Sequence, residues 1–207
     1  MLKFNTDNIF FTSDYHIGHY NILKHCHRPF TSTDEMKQTI ITNHNAIVKN
    51  DNDIVFNLGD IAYRTSINEL LDVLSVLKGR IYFVWGNHDK VMQDALYKGF
   101  LDKFIKSGKL TILGNSYPEQ SIITLELLGK IVNISHCALR TWNSAFYGAY
   151  HLFGHSHGNL PPLYKSCDIG VDVADQYIKN HKSFTPFNFA EEIIPYMESV
   201  TRKFKEE

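Results

Sequence analysis

Two periodicities alternate along the first half of the chain. Short apolar runs at 9–12, 53–58 and 80–85 have the length and composition of buried strands. Other segments carry apolar residues at helical spacing: one follows a Ser-Thr-Asp-Glu capping box at 32–35, and one spans 67–77 and is closed by a glycine. This half of the chain therefore predicts strands and helices in alternation.

The second half of the chain is richer in strand. Residues 122–128 and 130–135 alternate polar and apolar positions on either side of Gly129, which predicts a β-hairpin. Two further strands are expected at 150–153 and 168–171. Two further helices are expected at 91–104 and 189–199. Pro195 disfavours the interior of the last helix. The whole pattern predicts an α/β fold, a layered sandwich in which two β-sheets face each other.

The domain organisation and charge are simple. No repeat, low-complexity tract or Pro/Gly/Ser-rich linker divides the chain, so a single domain over 1–207 is expected. A hydrophobic content of 43% is normal for a globular protein. The formal net charge of -1 argues against wholesale electrostatic binding to nucleic acid or to an anionic membrane.

The expected location is the cytoplasm. No stretch approaches the roughly 18 apolar residues of a membrane-spanning helix, and the N-terminus lacks the apolar segment of a signal peptide. Three widely spaced cysteines, Cys26, Cys137 and Cys167, suit free thiols in a reducing compartment.

Polar clusters follow five predicted strands at the points where those strands end. The clusters are Asp14-Tyr15-His16, Gly59-Asp60, Gly86-Asn87-His88-Asp89, Ser135-His136 and Gly154-His155-Ser156-His157. In open α/β sheets, ligands bind in the crevice beyond the carboxyl ends of the strands. We therefore expect these five clusters to meet at one place.

The side chains in these clusters are typical of a divalent metal site. Carboxylate oxygen, amide oxygen and imidazole nitrogen bind borderline ions such as Mn, Fe and Zn, whereas the cysteine spacing does not match a structural zinc site. Residues two apart in an extended segment share a face. Asp14 with His16, and His155 with His157, are each expected to reach one ion.

Each part of this pattern has a competing explanation. A lone D-x-H is a weak signal for metal. His25 and His27, on either side of Cys26, look like a ligand cluster but do not follow a strand. His44 lies on a helical face and is expected to be structural, and His151, near Gly154, is expected to be a packed or surface histidine.

Taken in order, D-x-H, G-D, G-N-H-D, a single H and G-H-x-H resemble the motifs of the calcineurin-like metallophosphoesterase superfamily. All five are present between residues 14 and 157. The segment SDYHIGHYNILKHCHRPF is also similar to the start of a small bacterial and phage branch. The resemblance implies a four-layer α-β-β-α sandwich, with two facing mixed sheets and a metal site at the carboxyl ends of the strands.

The resemblance also implies two divalent metal ions, with manganese expected ahead of iron, zinc or nickel. The first ion would be held by residues matching Asp14, His16, Asp60 and His157. The second would be held by residues matching Asp60, Asn87, His136 and His155, so that Asp60, with its two carboxylate oxygens, bridges the ions. The implied reaction is hydrolysis of a phosphate mono- or diester by in-line attack of a metal-bridging hydroxide.

Two residues of G-N-H-D are expected to be catalytic. The resemblance places His88 near the leaving group, where it donates a proton or stabilises charge. Asp89 would accept a hydrogen bond from the other ring nitrogen of His88. A second explanation for Asp89, compatible with the first, is an N-cap of the following helix.

The substrate is less well specified. His19, Arg28 and Arg140 are candidates for contacting it, although Arg28 has a surface salt bridge as an equal alternative. A small nucleotide-like phosphate is the favoured substrate, a DNA or RNA phosphodiester is the alternative, and a non-catalytic interaction module ranks third. No membrane partner is expected, and the oligomeric state is open.

Overall fold

A computed structural model of the protein describes residues 1–114, 121–173 and 177–200. Within these ranges, ten strands form two five-stranded sheets with the orders β10-β2-β3-β4-β5 and β1-β6-β7-β8-β9. The strands are β1 Leu2–Phe4, β2 Ile9–Thr12, β3 Ile54–Asn57, β4 Arg80–Val84, β5 Leu110–Leu113, β6 Ile123–Leu127, β7 Lys130–Ile134, β8 Tyr150–Phe153, β9 Ser166–Asp168 and β10 Phe187–Asn188. Both sheets mix parallel and antiparallel pairs.

The same ranges contain six α-helices. They are α1 Tyr20–His25, α2 Thr33–Ile47, α3 Ile67–Val76, α4 Lys90–Tyr97, α5 Asp102–Lys106 and α6 Ile194–Ser199. The predicted cap of α2 is confirmed, because the Glu35 N–H donates to Ser32 Oγ at 3.1 Å. No described helix has both the length and the apolar character needed to cross a membrane.

The two sheets pack face to face through one shared core. Phe11 of β2 stacks on Phe56 of β3, with ring centroids 5.0 Å apart. The same buried cluster contains Val132 of β7 and Leu152 of β8, which belong to the other sheet. The predicted α/β sandwich of two facing mixed sheets is therefore confirmed.

Helices cover the outer face of the β2–β5 sheet. Because strand side chains alternate, Ile81 and Phe83 of β4 point away from the shared core and join a second cluster. Met36 of α2 and Leu70 of α3 are buried in that cluster. The outer face of the other sheet carries a much smaller cluster centred on Trp142.

Some element boundaries differ from the prediction. The helix expected over 91–104 is two helices, α4 and α5, separated by Gly99, which has a φ of 75°. The strand expected at 168–171 ends earlier, as β9. Strands β1, β5 and β10 and helix α1 were not predicted, since each is too short to show a clear period.

The last helix accommodates its proline by changing geometry. Residues Phe189–Ile193 form a π-helical segment that leads into α6. Pro195 lies in the first turn of α6, the part of an α-helix in which proline is tolerated.

Candidate metal centre

The strand order places the five polar clusters at one end of the sandwich. Strands β2, β3 and β4 are parallel neighbours, and so are β7 and β8. Their carboxyl ends therefore lie along the same edge. The loops that follow these ends bring all seven predicted ligands into two adjacent groups.

The first group consists of Asp14, His16 and His157, whose potential ligand atoms all lie within 4.8 Å of one another. Asp14 Oδ1 is 3.8 Å from His16 Nε2 and 4.0 Å from His157 Nε2. Asp14 and His16 are buried and His157 is half-buried. This end of the centre is thus enclosed by protein.

The second group consists of Asp60, His136 and His155, together with Asn87. Asn87 Oδ1 is 2.9 Å from both His136 Nε2 and His155 Nδ1. Asn87 and His155 are exposed, whereas Asp60 and His136 are buried. The second group therefore opens to solvent.

Asp60 joins the two groups through a single oxygen. Its Oδ2 lies 3.4 Å from His16 Nε2 and 3.5 Å from His136 Nε2. Its Oδ1 instead accepts the backbone N–H of His88 at 2.7 Å. The expectation that Asp60 bridges by having two oxygens is therefore corrected: one oxygen faces both groups, and the other fixes the carboxylate.

The donor atoms fit divalent metal ions. Two atoms bound to one ion at about 2.1 Å cannot be more than about 4.2 Å apart. The atom-to-atom distances given above for individual pairs of donors, 2.9–4.0 Å, meet that limit. Asp14 Oδ1 and His16 Nε2 are buried, and neither has a hydrogen-bond partner among the described residues. Burying unpaired polar atoms is costly, and a cation between these two would satisfy both.

The backbone is in the left-handed region at five of the predicted ligands. They are Asp14, His16, Asp60, His155 and His157, with φ between 49° and 67°. A non-glycine residue held there costs about 1–3 kcal/mol, which the surrounding structure must offset.

This geometry corrects the extended conformation expected for D-x-H and H-x-H. The side chains of Asp14 and His16 converge because the chain turns after β2, and His155 and His157 point into different groups.

Glycines in the motifs allow the loops to approach closely. A Cβ on Gly86 would lie 2.2 Å from Asp60 Oδ1 and 2.4 Å from Asp60 N. A Cβ on Gly154 would lie 2.5 Å from Asp14 Oδ2. These positions have no space for a larger side chain, and this explains the glycine in each motif better than turn formation does.

Two of the histidines are oriented through their other ring nitrogen. His136 Nδ1 is 2.7 Å from the Leu58 carbonyl oxygen, and His157 Nδ1 is 2.6 Å from Asp172 Oδ2. Such contacts place the proton on Nδ1 and leave Nε2 for a metal. Sequence reasoning missed Asp172, although an acidic residue just after the expected strand at 168–171 repeated the pattern of the other clusters.

Arg28, predicted to contact substrate, is buried and bound to protein groups. Its guanidinium donates to both carboxylate oxygens of Asp172 at 2.7 Å. It also donates to the backbone carbonyl oxygens of Asp14 and Tyr15. The substrate role is therefore corrected: Arg28 holds Asp172 and the first motif in place.

Asp89 also has a different role from the predicted one. Its carboxylate accepts the backbone N–H groups of Gly86, Asp60 and Ile61 at 2.7–2.9 Å. It therefore ties the G-D and G-N-H-D loops together and is not the hydrogen-bond acceptor for the His88 ring. Asp89 is the N-cap residue of α4, but its side chain makes no capping hydrogen bond.

Asp168 orders the G-H-x-H loop in a similar way, and it too was missed. Its Oδ2 accepts hydrogen bonds from Ser156 Oγ at 2.6 Å and from the Gly158 N–H at 2.8 Å. Buried carboxylates thus stabilise the loops that carry the ligands.

His88 and His19 lie beside the first group. The His16 ring centroid is 5.4 Å from that of His88 and 5.2 Å from that of His19. Tyr63, which sequence reasoning did not single out, contacts both, with centroid separations of 4.6 Å to His88 and 4.4 Å to His19. Arg140, the third substrate candidate, is exposed in the loop after His136.

The remaining histidines are accounted for by packing or exposure. His44 is buried between the Tyr15 hydroxyl and the Lys78 carbonyl oxygen. His151 is buried between the hydroxyls of Ser135 and Ser166. Of the His-Cys-His segment, His25 and His27 are exposed, and only Cys26 approaches His157 and Asp172.

The pKa values of these groups are shifted in both directions. Burial raises the pKa of Asp14 to about 6. Burial disfavours the His157 cation, but its hydrogen bond to Asp172 raises the pKa to about 11. Burial is likewise outweighed at His136, where Asp60 raises the pKa to about 9. A divalent cation would compete with these protons for the same atoms.

Comparisons with known proteins agree with the geometry. The family model described as calcineurin-like phosphoesterase matches residues 8–182. The uncharacterized protein MJ1445 of Methanocaldococcus jannaschii is 45% identical over 82 residues, which are 40% of this chain and 47% of that protein. The chain thus matches about half the length of this relative.

One solved structure has the same fold. A protein of unknown function from Aquifex aeolicus, AQ665, superposes with a TM-score of 0.58 at 19% identity, covering 86% of this chain and 94% of that one. Three observations therefore indicate the same family: two facing mixed sheets, candidate metal ligands at the carboxyl ends of their strands, and a family match over most of the sequence. The chain belongs to the calcineurin-like phosphoesterase family, whose chemistry is metal-dependent hydrolysis of phosphate esters.

Proposed function

We propose that the protein is a two-metal phosphoesterase that hydrolyses a small, nucleotide-like phosphate mono- or diester. The observation that carries the proposal is the position of Asp60 Oδ2, 3.4 Å from His16 Nε2 and 3.5 Å from His136 Nε2. One carboxylate oxygen facing two separate donor groups suits a pair of ions rather than one.

The ligands divide between the two ions as the donor groups do. Asp14, His16 and His157 would hold one ion and Asn87, His136 and His155 the other, with Asp60 shared. When bound, two such cations lower the pKa of a water molecule toward neutrality and neutralise charge on the phosphate oxygens. Manganese is proposed ahead of iron, zinc or nickel on the family resemblance, since a mixed oxygen and nitrogen donor set without cysteine accepts all four.

His88 is the proposed proton donor to the leaving oxygen. Its backbone N–H donates to Asp60 Oδ1 at 2.7 Å, which holds this part of the chain beside the centre. Its ring is half-buried and packs against Tyr63. His88 belongs to neither of the two ligand groups described above. A histidine so placed can donate a proton to the leaving oxygen.

A small substrate is favoured by charge. The formal net charge of -1 gives the protein no overall attraction for a polymer of phosphates. The exposed Asn87 and His155 leave the second group open to a compact ester from solvent.

The first experiment measures hydrolysis by protein reconstituted with Mn, Ni, Co, Fe or Zn. We expect turnover of bis-p-nitrophenyl phosphate, p-nitrophenyl phosphate or both with at least one of these metals. Absence of activity with every metal on both esters would refute the phosphoesterase proposal.

Metal content tests the two-ion part separately. About two ions per chain are expected in the wild type, and Asp60→Asn should lose both because it removes the shared ligand. Asp72→Asn is the matched control, since Asp72 is exposed on α3. A wild-type content of one ion per chain would contradict the two-ion centre while leaving esterase activity to be judged by itself.

A further inference from the structure

An open groove of about 410 Å³ begins at His88. Its walls come from the loop after β3 and from the start of α4. His88 borders both this groove and the first metal group, because its ring lies 5.4 Å from the ring of His16. A phosphate ester bound at the metals with its leaving oxygen at His88 would therefore extend its leaving group into the groove.

The inner part of the groove is lined by aromatic and apolar side chains. The Tyr63 ring lies 4.6 Å from the His88 ring at an interplanar angle of 69°, and the Arg64 guanidinium covers Tyr63 at 5.2 Å. Ile67 and Val91 add half-buried apolar surface. Aromatic and guanidinium surfaces stack on nucleic-acid bases regardless of base identity.

The rim of the groove is cationic. Arg64 and Lys90 are both exposed there, and both face the groove. Asp94 is the acidic residue of the lining, 3.9 Å from Lys90 in an exposed pair. Two cations against one carboxylate leave one excess positive charge, which would attract a phosphate on the leaving group.

We propose that this groove is the leaving-group subsite and that it binds a nucleotide: a base against Tyr63 and a phosphate between Arg64 and Lys90. The substrate would then be a short diester joining two nucleotides. In its hydrolysis the water oxygen forms the new bond to phosphorus and the bond to the leaving oxygen breaks. That oxygen takes a proton and leaves as an alcohol that still carries its own phosphate. This inference rests on the proposed phosphoesterase function.

The test compares dinucleotides that differ by one phosphate. The manganese-reconstituted protein is assayed on a dinucleoside monophosphate and on the same compound carrying one additional terminal phosphate, at either end. We expect a phosphate at the end that reaches Arg64 and Lys90 to raise kcat/KM about tenfold, which is the effect of one charge-assisted contact. Arg64→Gln and Lys90→Gln should each reduce that preference to about twofold or less.

Two further variants sharpen the test. Lys98→Gln, which removes an exposed lysine just after α4, should keep the full preference. Tyr63→Leu should raise KM for both dinucleotides about tenfold by removing the stacking surface.

The outcomes separate the two proposals. An equal kcat/KM with and without the terminal phosphate, whichever end carries it, would overturn the subsite while bis-p-nitrophenyl phosphate is still hydrolysed. So would a preference that survives both Arg64→Gln and Lys90→Gln. Loss of activity on every ester would instead refute the phosphoesterase function. An oligonucleotide cleaved more efficiently than either dinucleotide would replace the compact substrate with a polymer.

Discussion

His157 Nδ1 lies 2.6 Å from Asp172 Oδ2, while Nε2 of the same ring lies 4.0 Å from Asp14 Oδ1. Asp172 is itself held by the guanidinium of Arg28. A buried carboxylate thus fixes the tautomer of a candidate metal ligand, and an arginine fixes the carboxylate. Contacts of this kind raise the basicity of the ligand and hold its ring in position.

Asp172→Asn should weaken metal binding about 10- to 100-fold, because the His157 ring would lose its anionic acceptor. Competition with a chelator, followed by metal analysis, measures the change. The exposed Asp72→Asn should bind metal as the wild type does. Unchanged affinity in Asp172→Asn would show that this contact does not position the ligand.

His88→Ala should keep its metals and lose turnover by about 10²- to 10⁴-fold, the usual contribution of a proton donor. The reason is that the hydrogen bond between His88 and a candidate ligand comes from the backbone N–H, to Asp60 Oδ1, and remains in the variant. Metal content and kcat are measured on the same preparation. Removal of the exposed His25 by His25→Ala should alter neither quantity. Loss of metal from His88→Ala would assign His88 to the ligands.

Gly86→Ala should destabilise the protein by about 3 kcal/mol and abolish metal binding through Asp60, the shared ligand, since the added Cβ meets both backbone and carboxylate of Asp60. Urea unfolding without metal and metal analysis give the two readouts. Gly108→Ala is the comparison, because Gly108 has a φ of 75° but open space around its Cβ position. It should cost only about 1 kcal/mol of backbone strain. Equal costs for the two variants would contradict the close approach.

Stability should fall on acidification because of buried neutral histidines. Burial lowers the pKa of His44 to about 4 and that of His151 to about 3, below the value of about 6.5 in an unfolded chain. Between pH 6.5 and those lower values, these two histidines bind protons in the unfolded chain but stay neutral in the folded protein. This part of the stability is therefore fully present above pH 6.5 and decreases as the pH falls toward 4.

The measurement is the free energy of unfolding by urea between pH 7 and 4.5, without metal. His151→Gln should make the free energy of unfolding less dependent on pH than in the wild type. The change in slope should correspond to the uptake of up to about one proton fewer on unfolding. His25→Gln should leave the slope unchanged, because His25 is exposed. A wild-type slope in His151→Gln would mean that His151 is protonated in the folded protein.

Local sequence signals determined much of the fold. Apolar runs of strand length and the capping box at Ser32 located β2, β3, β4 and α2, because burial and backbone hydrogen bonding leave regular patterns over four or more residues. The polar clusters after the strands, with a family resemblance carried by their order, identified the seven candidate ligands that the structure groups together.

Only the tertiary structure decided how these residues act on one another. Contacts between distant loops determine the left-handed backbone at Asp14 and Asp60 and the single oxygen that Asp60 presents to both groups. They also show that Arg28 and Asp89 hold the ligand loops in place and do not act on the substrate. Arg28 and Asp172 are separated by 144 positions along the chain. The residue types show which groups can bind a metal, but the partner of a buried carboxylate or guanidinium is set by the approach of backbone segments that meet only when the two sheets pack.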